Sequence, residues 1–154
     1  MARYLVIAHQ TAESPELLER LRGLAASDSR AEFVLLVPAT PVCNMWVCDE
    51  LETARTARRR AAAAEDRMKR EGLRLVAARV GDADPIDTLR DELRRDDSYD
   101  KIVISTLPPG VSRWLKMDVL ARAARLRPGR EVISVVAGSV PEPVQARDSV
   151  TAQQ

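Results

Sequence analysis

The chain has 154 residues, of which 45% are hydrophobic and 31% charged, and these values are typical of a single soluble globular domain. The 24 Lys and Arg residues balance 23 Asp and Glu residues, which argues against a dedicated nucleic-acid binder or membrane-surface binder. Aromatic residues make up only 3%, too few for a base-stacking platform, and one His with two Cys nearly excludes a zinc site with several ligands.

The first part of the chain alternates strand patterns with helical patterns. A first strand is predicted over Arg3 to His9, and a second over Glu32 to Val37. Between them, Ser14 is a typical N-cap, with Pro15 at the first helical position. Because the N-terminal apolar run, Tyr4 to Ala8, lasts only five residues, we expect no signal peptide, no membrane span and a cytoplasmic protein.

A long second helix is predicted from Asp49 to Glu71, after a loop over Pro41 to Cys48. Asp49 and Glu52 have the spacing of a capping box. Small and apolar residues recur at steps of three and four, which predicts a stripe that packs on a sheet. The stripe consists of Val47, Leu51, Ala54, Ala57, Ala61, Ala64 and Met68. The opposite face carries arginines among acidic residues, and we interpret it as solvated rather than as a nucleic-acid interface. These arginines are Arg55, Arg58, Arg59, Arg60, Arg67 and Arg70.

Three more strands and two more helices are predicted in the second half. The strands cover Leu73 to Val80, Lys101 to Ser105 and Glu131 to Ala137. The third helix is capped by Asp84, with Pro85 as its first residue, and its core face consists of Ile86, Leu89 and Leu93. The fourth runs from about Val111 to Leu126, and Trp114 is expected to pack against the sheet or a neighbouring loop. Residues 1–140 then form one domain, and residues 141–154 a poorly ordered tail.

Strands that alternate with helices predict an α/β fold with three layers. Right-handed crossovers make the five-stranded sheet parallel, with the Rossmann-like order 3-2-1-4-5. In such a sheet a ligand lies at the switch point between strands one and four, outside the carboxyl ends of the strands. The predicted site therefore collects the polar residues that follow these strands.

The candidate ligand-binding or anion-binding residues are His9, Gln10, Thr11, Thr40, Ser105, Thr106, Gly110, Ser112, Arg113 and Lys116. Arg113 and Lys116 lie at the start of a predicted helix, where cations are unfavourable, and such an exception sometimes marks a site for phosphate or another anion. The alternative is that both side chains point into solvent. His9 is interpreted as a polar strand-end residue rather than a catalytic base, and no metal ligands are assigned. The phosphate-binding patterns G-x-x-x-x-G-K-[ST] and G-x-G-x-x-G are both absent.

Three segments of the chain resemble the universal stress protein family over roughly residues 2 to 137. They are the first strand with its polar turn, the run Gly81-Asp82-Ala83-Asp84-Pro85 before a short helix, and the fourth strand with its loop and last helix. The resemblance implies a small α/β domain, often dimeric, that acts in stress physiology. It also implies ATP binding in some members and none in others.

The ATP-binding pattern of that family, G-x2-G-x9-G-[ST], is not kept in this chain. The pattern places Ser105, Pro108 and Asp118 at its three glycines and Val119 at its Ser/Thr. We therefore expect a binding or regulatory module with no required cofactor, no catalytic residues and weak or absent ATP binding. Two alternatives remain open: a member that binds a nucleotide or anion through the Pro-rich loop after strand four, and a nucleotidyl transferase or hydrolase.

Two further expectations concern cysteine chemistry and assembly. Cys43 and Cys48 have C-x4-C spacing and are expected to be free thiols, with a regulatory disulfide as the alternative. The strand Glu131 to Ala137 lies at a sheet edge and is mostly apolar, which predicts a homodimer through this strand. No nucleic acid or membrane partner is expected, and the identity of the small ligand is left open.

Overall fold

A computed structural model describes residues 1–41, 43–44 and 47–138. The strands are β1 (Arg3–Ile7), β2 (Glu32–Pro38), β3 (Cys43–Asn44), β4 (Val47–Cys48), β5 (Leu75–Gly81), β6 (Lys101–Thr106) and β7 (Glu131–Val136). The helices are α1 (Pro15–Ser27), α2 (Glu50–Arg70), α3 (Pro85–Arg95), α4 (Arg113–Lys116) and α5 (Val119–Leu126). The predicted tail, residues 141–154, lies outside the described residues.

The main sheet has five parallel strands in the order β5-β2-β1-β6-β7. Without the short β3-β4 hairpin, which forms its own sheet, this is the predicted order 3-2-1-4-5. Leu5 of β1 is in register with Val34 of β2 on one side and with Ile102 of β6 on the other. The chain reverses its direction of winding between β1 and β6, so their carboxyl ends flank the predicted switch point. The predicted α/β fold class is confirmed.

Alternate residues of the central strands belong to two separate cores. Tyr4 and Val6 belong to a cluster that includes the buried residues of α1 and α2. Leu5 and Ile7 belong to a second cluster with buried residues of α3 and α5. Since successive side chains of a strand point to opposite faces, the two clusters lie on opposite faces of the sheet. The result is the predicted three-layer arrangement.

The predicted starts of three helices are confirmed by their capping hydrogen bonds. Ser14 Oγ accepts a hydrogen bond from the N–H of Leu17, at the start of α1. Asp49 Oδ1 accepts from the N–H groups of Leu51 and Glu52 at the start of α2. Asp84 caps α3 in the same way. A short polar side chain before each helix satisfies N–H groups that have no partner within the helix.

The predicted loop before α2 contains the β3-β4 hairpin, which places the start of the predicted stripe in solvent. Val47 is 68% exposed and Leu51 is 58% exposed, whereas Ala57, Ala64 and Met68 are fully buried. The stripe was therefore predicted too far toward its N-terminal end. Its first residues, Val47 and Leu51, belong to the hairpin and to the first turn of α2, where they are exposed.

Cys48 is disulfide-bonded, which contradicts the expectation of free thiols. The hairpin pairs the backbone of Cys48 directly with that of Cys43. Free thiols were expected because the spacing is not C-x-x-C and because the protein was expected to be cytoplasmic, and the hairpin that opposes the two residues was not predicted.

The predicted fourth helix, Val111 to Leu126, is wrong as a single element. It is divided into α4 and α5 by Asp118, whose φ of 54° and ψ of 40° are left-handed. Asp is one of the few residues that tolerate this conformation, because its short polar side chain can hydrogen-bond locally. Val119 and Ala123, after the break, are buried, whereas Leu115, before it, is only half-buried.

The edge strand β7 is buried on one face and partly covered on the other, where Val132 packs against the second core. Ile133 and Val135 are buried in the core on the side of α1, whereas Ser134 and Val136 are exposed. The sequence pattern, with four apolar residues in this strand, did not distinguish the two faces. Within the described residues, no helix is long and apolar enough to cross a membrane.

Candidate functional site

A cavity of about 140 Å³ opens at the carboxyl ends of β1, β2 and β6, where the switch point was predicted. Eight of the ten predicted site residues line it together with three apolar residues. The eight are His9, Gln10, Thr11, Thr40, Ser105, Thr106, Ser112 and Arg113. The parallel sheet brings them together because residues that directly follow its strands meet at one edge.

Gly110 and Lys116 were predicted for the site but do not line the cavity. Gly110 has a φ of 93° and belongs to the turn after β6, so its conformational freedom serves the loop. Lys116 is exposed at the end of α4, which has only four residues. The prediction placed both cations at the start of one long helix, whereas the break at Asp118 leaves them in a helix of four residues.

Three apolar residues of the cavity wall were not predicted as site residues: Leu107, Val111 and Trp114. Trp114 is half-buried and packs against the second core, as expected for its side chain. Leu107 and Val111 flank the Pro-Pro-Gly turn. A loop that returns across the strand ends places such residues opposite β1, and only the path of the loop reveals this.

His9 is buried, and its ring contacts an arginine that the sequence analysis placed in solvent. The guanidinium NH1 of Arg60, in α2, lies 3.1 Å from Nδ1 of His9. Burial of the imidazole and the nearby positive charge of Arg60 lower the pKa of His9 to about 4. His9 is therefore neutral at physiological pH.

Three buried polar atoms of cavity-lining residues have no hydrogen-bond partner among the described residues. They are Nε2 of His9, Oγ1 of Thr40 and Oγ1 of Thr106. By contrast, Ser105 Oγ donates to Thr11 Oγ1 at 2.7 Å in the same cavity wall. Because a buried polar group without a partner costs about 1–3 kcal/mol, these three atoms require hydrogen-bond partners from the cavity itself, either water or a ligand.

The loop between β6 and α4 uses several of its amides internally. The N–H groups of Val111 and Ser112 both donate to the carbonyl oxygen of Pro108, at 3.2 and 3.1 Å. The N–H of Leu115 donates to Ser112 Oγ. Pro108 itself has no N–H to donate. These backbone groups are consequently not available as a cradle for several phosphates.

The described part of the cavity wall carries one charged side chain, Arg113, and no carboxylate. Within the described residues there is also no group of three or more His, Cys, Asp or Glu residues that could hold a metal ion. With Arg60 behind His9, the local charge is positive. Such a wall favours neutral or anionic ligands over cations.

The sequence matches no model of a known protein family, and it matches no curated protein. Solved structures, however, share its fold. A universal stress protein from Arabidopsis thaliana with AMP bound is 14% identical, with a TM-score of 0.59 over 94% of this chain and 97% of that one. A universal stress protein in complex with cAMP is 18% identical, with a TM-score of 0.55 over 89% and 98% of the two chains.

A third structure, the universal stress protein from Archaeoglobus fulgidus in complex with dAMP, is 16% identical, with a TM-score of 0.55. This likeness covers 88% of this chain and 97% of the other. Together these structures establish the class: the chain has the α/β fold of universal stress proteins. The resemblance noted in the sequence is thus confirmed at the level of the fold.

Proposed function

We propose that this protein is a non-catalytic regulatory module, similar to universal stress proteins, that binds an adenine mononucleotide in the cavity beside β1 and β6. The observation that carries the proposal is the set of three buried polar atoms without partners, on His9, Thr40 and Thr106. A bound ligand would supply their missing hydrogen bonds. A role in stress physiology is proposed from the shared fold.

The ligand class follows from the fold neighbours and from the charge of the cavity. Proteins of the same fold have been crystallised with AMP, cAMP and dAMP. In this chain Arg113 offers one guanidinium at the cavity, which suits one phosphate group. The apolar side chains of Leu107, Val111 and Trp114 offer a surface for a base.

ATP is a poorer match to this cavity than a monophosphate. The amides of Val111 and Ser112 are already bonded to Pro108, so they cannot also bind phosphate oxygens. No carboxylate in the described wall offers a ligand to the Mg²⁺ that accompanies ATP.

The protonation of the site also supports a non-catalytic role. His9 accepts a hydrogen bond from Arg60 at Nδ1, which occupies the lone pair that a general base needs. The hydroxyl of Ser105 donates to Thr11 and not to a base. A nucleophile activated by a neighbouring base is therefore not formed by these residues.

Calorimetry with AMP, cAMP and Mg-ATP tests the proposal. AMP or cAMP should bind measurably, and Mg-ATP should bind no tighter than about 100 μM, which corresponds to about −5.5 kcal/mol. Arg113→Ala should weaken AMP binding, while Lys116→Ala, in the same short helix but outside the cavity, should not. Low-micromolar Mg-ATP binding, or no binding of either mononucleotide, would contradict the proposal. Release of phosphate from ATP by the purified protein would favour the enzyme alternative.

A further inference from the structure

Arg60 differs from its neighbours on α2 in where its side chain lies. Arg58 and Arg59 are exposed, but Arg60 is partly buried and touches the ring of His9. Burial removes part of the hydration of the Arg60 guanidinium and thereby lowers its pKa from the ordinary value. The prediction that Arg60 belongs to a solvated face is therefore corrected. A cation placed against the only histidine of the chain has a specific consequence for that ring.

The hydrogen bond between Arg60 and His9 can have only one direction. A guanidinium has five N–H donors and no acceptor, and it stays charged in proteins. Nδ1 of His9 must then be the acceptor and carry no hydrogen. In a neutral imidazole the hydrogen therefore lies on Nε2. This is the nitrogen that is buried without a protein partner among the described residues.

No charged group of the described cavity wall favours a hydrogen on Nδ1 of His9. The charge at the ring is Arg60 from α2, which disfavours an imidazolium, and the other charged side chain of the described cavity wall is Arg113 from α4, also a cation. The other lining residues from β1, β2 and β6 and their loops are neutral hydroxyl, amide or apolar groups. A carboxylate at Nδ1, the usual partner that places the hydrogen there, is absent from this described wall.

We propose that Arg60 is a positioning residue that holds His9 in its Nε2–H form, so that the cavity presents a hydrogen-bond donor and selects ligands with an acceptor at that point. Such an acceptor is a carbonyl oxygen, an unprotonated ring nitrogen or a phosphate oxygen. A ligand with an N–H or O–H donor there would leave two hydrogens in opposition and both groups unsatisfied. The statement about ligands rests on the proposed function, whereas the statement about the ring does not.

Nitrogen NMR of the ring tests the proposal in the unliganded, full-length protein. His9 is the only histidine, so its two ring nitrogens can be observed in ¹⁵N-labelled protein without assignment by mutagenesis. At pH 7 the ring should show a protonated Nε2 and an unprotonated Nδ1. A protonated Nδ1 in the wild-type protein would overturn the proposal, and this measurement needs no variant.

Three variants separate the role of Arg60 from a general structural effect. Arg60→Met should allow both neutral forms and raise the pKa of His9, while Arg60→Lys should restore the Nε2–H form. Arg59→Met, an exposed neighbour, should leave the spectrum unchanged. If Arg60→Met is folded by circular dichroism and keeps the wild-type ring spectrum, Arg60 does not set the tautomer.

The claim that the cavity selects ligands with an acceptor at His9 is tested with AMP as the probe. Because Arg60→Met admits both neutral forms, only part of the protein then carries the Nε2–H donor, and AMP binding should weaken about twofold, with Arg59→Met as the matched control. Unchanged AMP affinity in Arg60→Met would overturn the selection of acceptors. If wild-type protein shows the expected ring form but binds no mononucleotide, the proposed function fails and the positioning role of Arg60 stands.

Discussion

Replacement of Thr106 by valine should make the protein more stable and its site less functional. Thr106 is 2% exposed, and its Oγ1 is buried without a partner in the described residues. Valine has the same shape, with a methyl group in place of the hydroxyl. It removes a buried polar group that has lost its hydration and gained no hydrogen bond in return.

The magnitude follows from the cost of such a group. A buried hydroxyl without a partner costs about 1–3 kcal/mol, and β-branched valine suits the strand β6 as well as threonine does. We expect Thr106→Val to raise the free energy of unfolding by about 1–2 kcal/mol, or the melting temperature by roughly 2–8 °C for a chain of this length. The affinity for AMP should fall, since the ligand loses one polar partner.

Thr11→Val is the matched control, because it makes the same chemical change in the same cavity wall. Thr11 is 4% exposed, but its Oγ1 accepts a hydrogen bond from Ser105 at 2.7 Å. The valine leaves the Ser105 hydroxyl without its acceptor, so this variant should lose about 1–3 kcal/mol.

Urea denaturation measures the free energy of unfolding of both variants, and the slope m of that free energy against urea concentration should be unchanged. Opposite signs for the two changes in stability are the expected result. If Thr106→Val lowers stability as Thr11→Val does, the Thr106 hydroxyl has a partner and the argument from unsatisfied groups fails. That outcome would also weaken the main support for a ligand site.

Two further predictions concern the sheet edge and acid stability. We propose that β7 pairs with a second copy of the chain: light scattering should give about twice 17.1 kDa, and Val136→Lys should give folded monomers. Val135→Lys should instead unfold the domain, because Val135 is 7% exposed and lies in the core. A mass of 17.1 kDa for the wild-type protein at high concentration would refute the dimer. Hydrogen bonds from Ser98, together with Arg3, lower the pKa of Asp96 from 3.8 to about 2. The ionised carboxylate therefore stabilises the fold above pH 3.8, and this contribution is lost as the pH falls toward 2. In Asp96→Asn the free energy of unfolding should fall less steeply over that pH range. An unchanged decrease would contradict this prediction.

Most of the fold could be predicted from the sequence because its signals are local. Ser14, Asp49 and Asp84 each begin a helix through hydrogen bonds to amides two or three residues away. The strands contain continuous apolar runs, which is typical of a parallel sheet covered on both faces. Once the elements and their parallel order were known, the position of the cavity at the strand ends followed from topology.

The rest depended on contacts between residues far apart in the chain. The β3-β4 hairpin brings Cys48 into register with Cys43, and the left-handed Asp118 divides the last helical region. Neither has a strong local signal, since C-x4-C also occurs in open loops and Asp also occurs within helices. The packing of α1 on one side of the sheet and of α5 on the other decided which residues of β7 are buried.

Arg60 shows most clearly the difference between what the sequence predicts and what tertiary packing decides. In the sequence it is one of six arginines on a long helix, although it lies three residues after Ala57 and four before Ala64, at the margin of the buried stripe. That spacing was the one available signal that its side chain turns toward the sheet. The sequence by itself determined that a histidine follows β1. The packing of α2 over that strand end, 51 residues further along the chain, decided which nitrogen of the histidine carries the hydrogen.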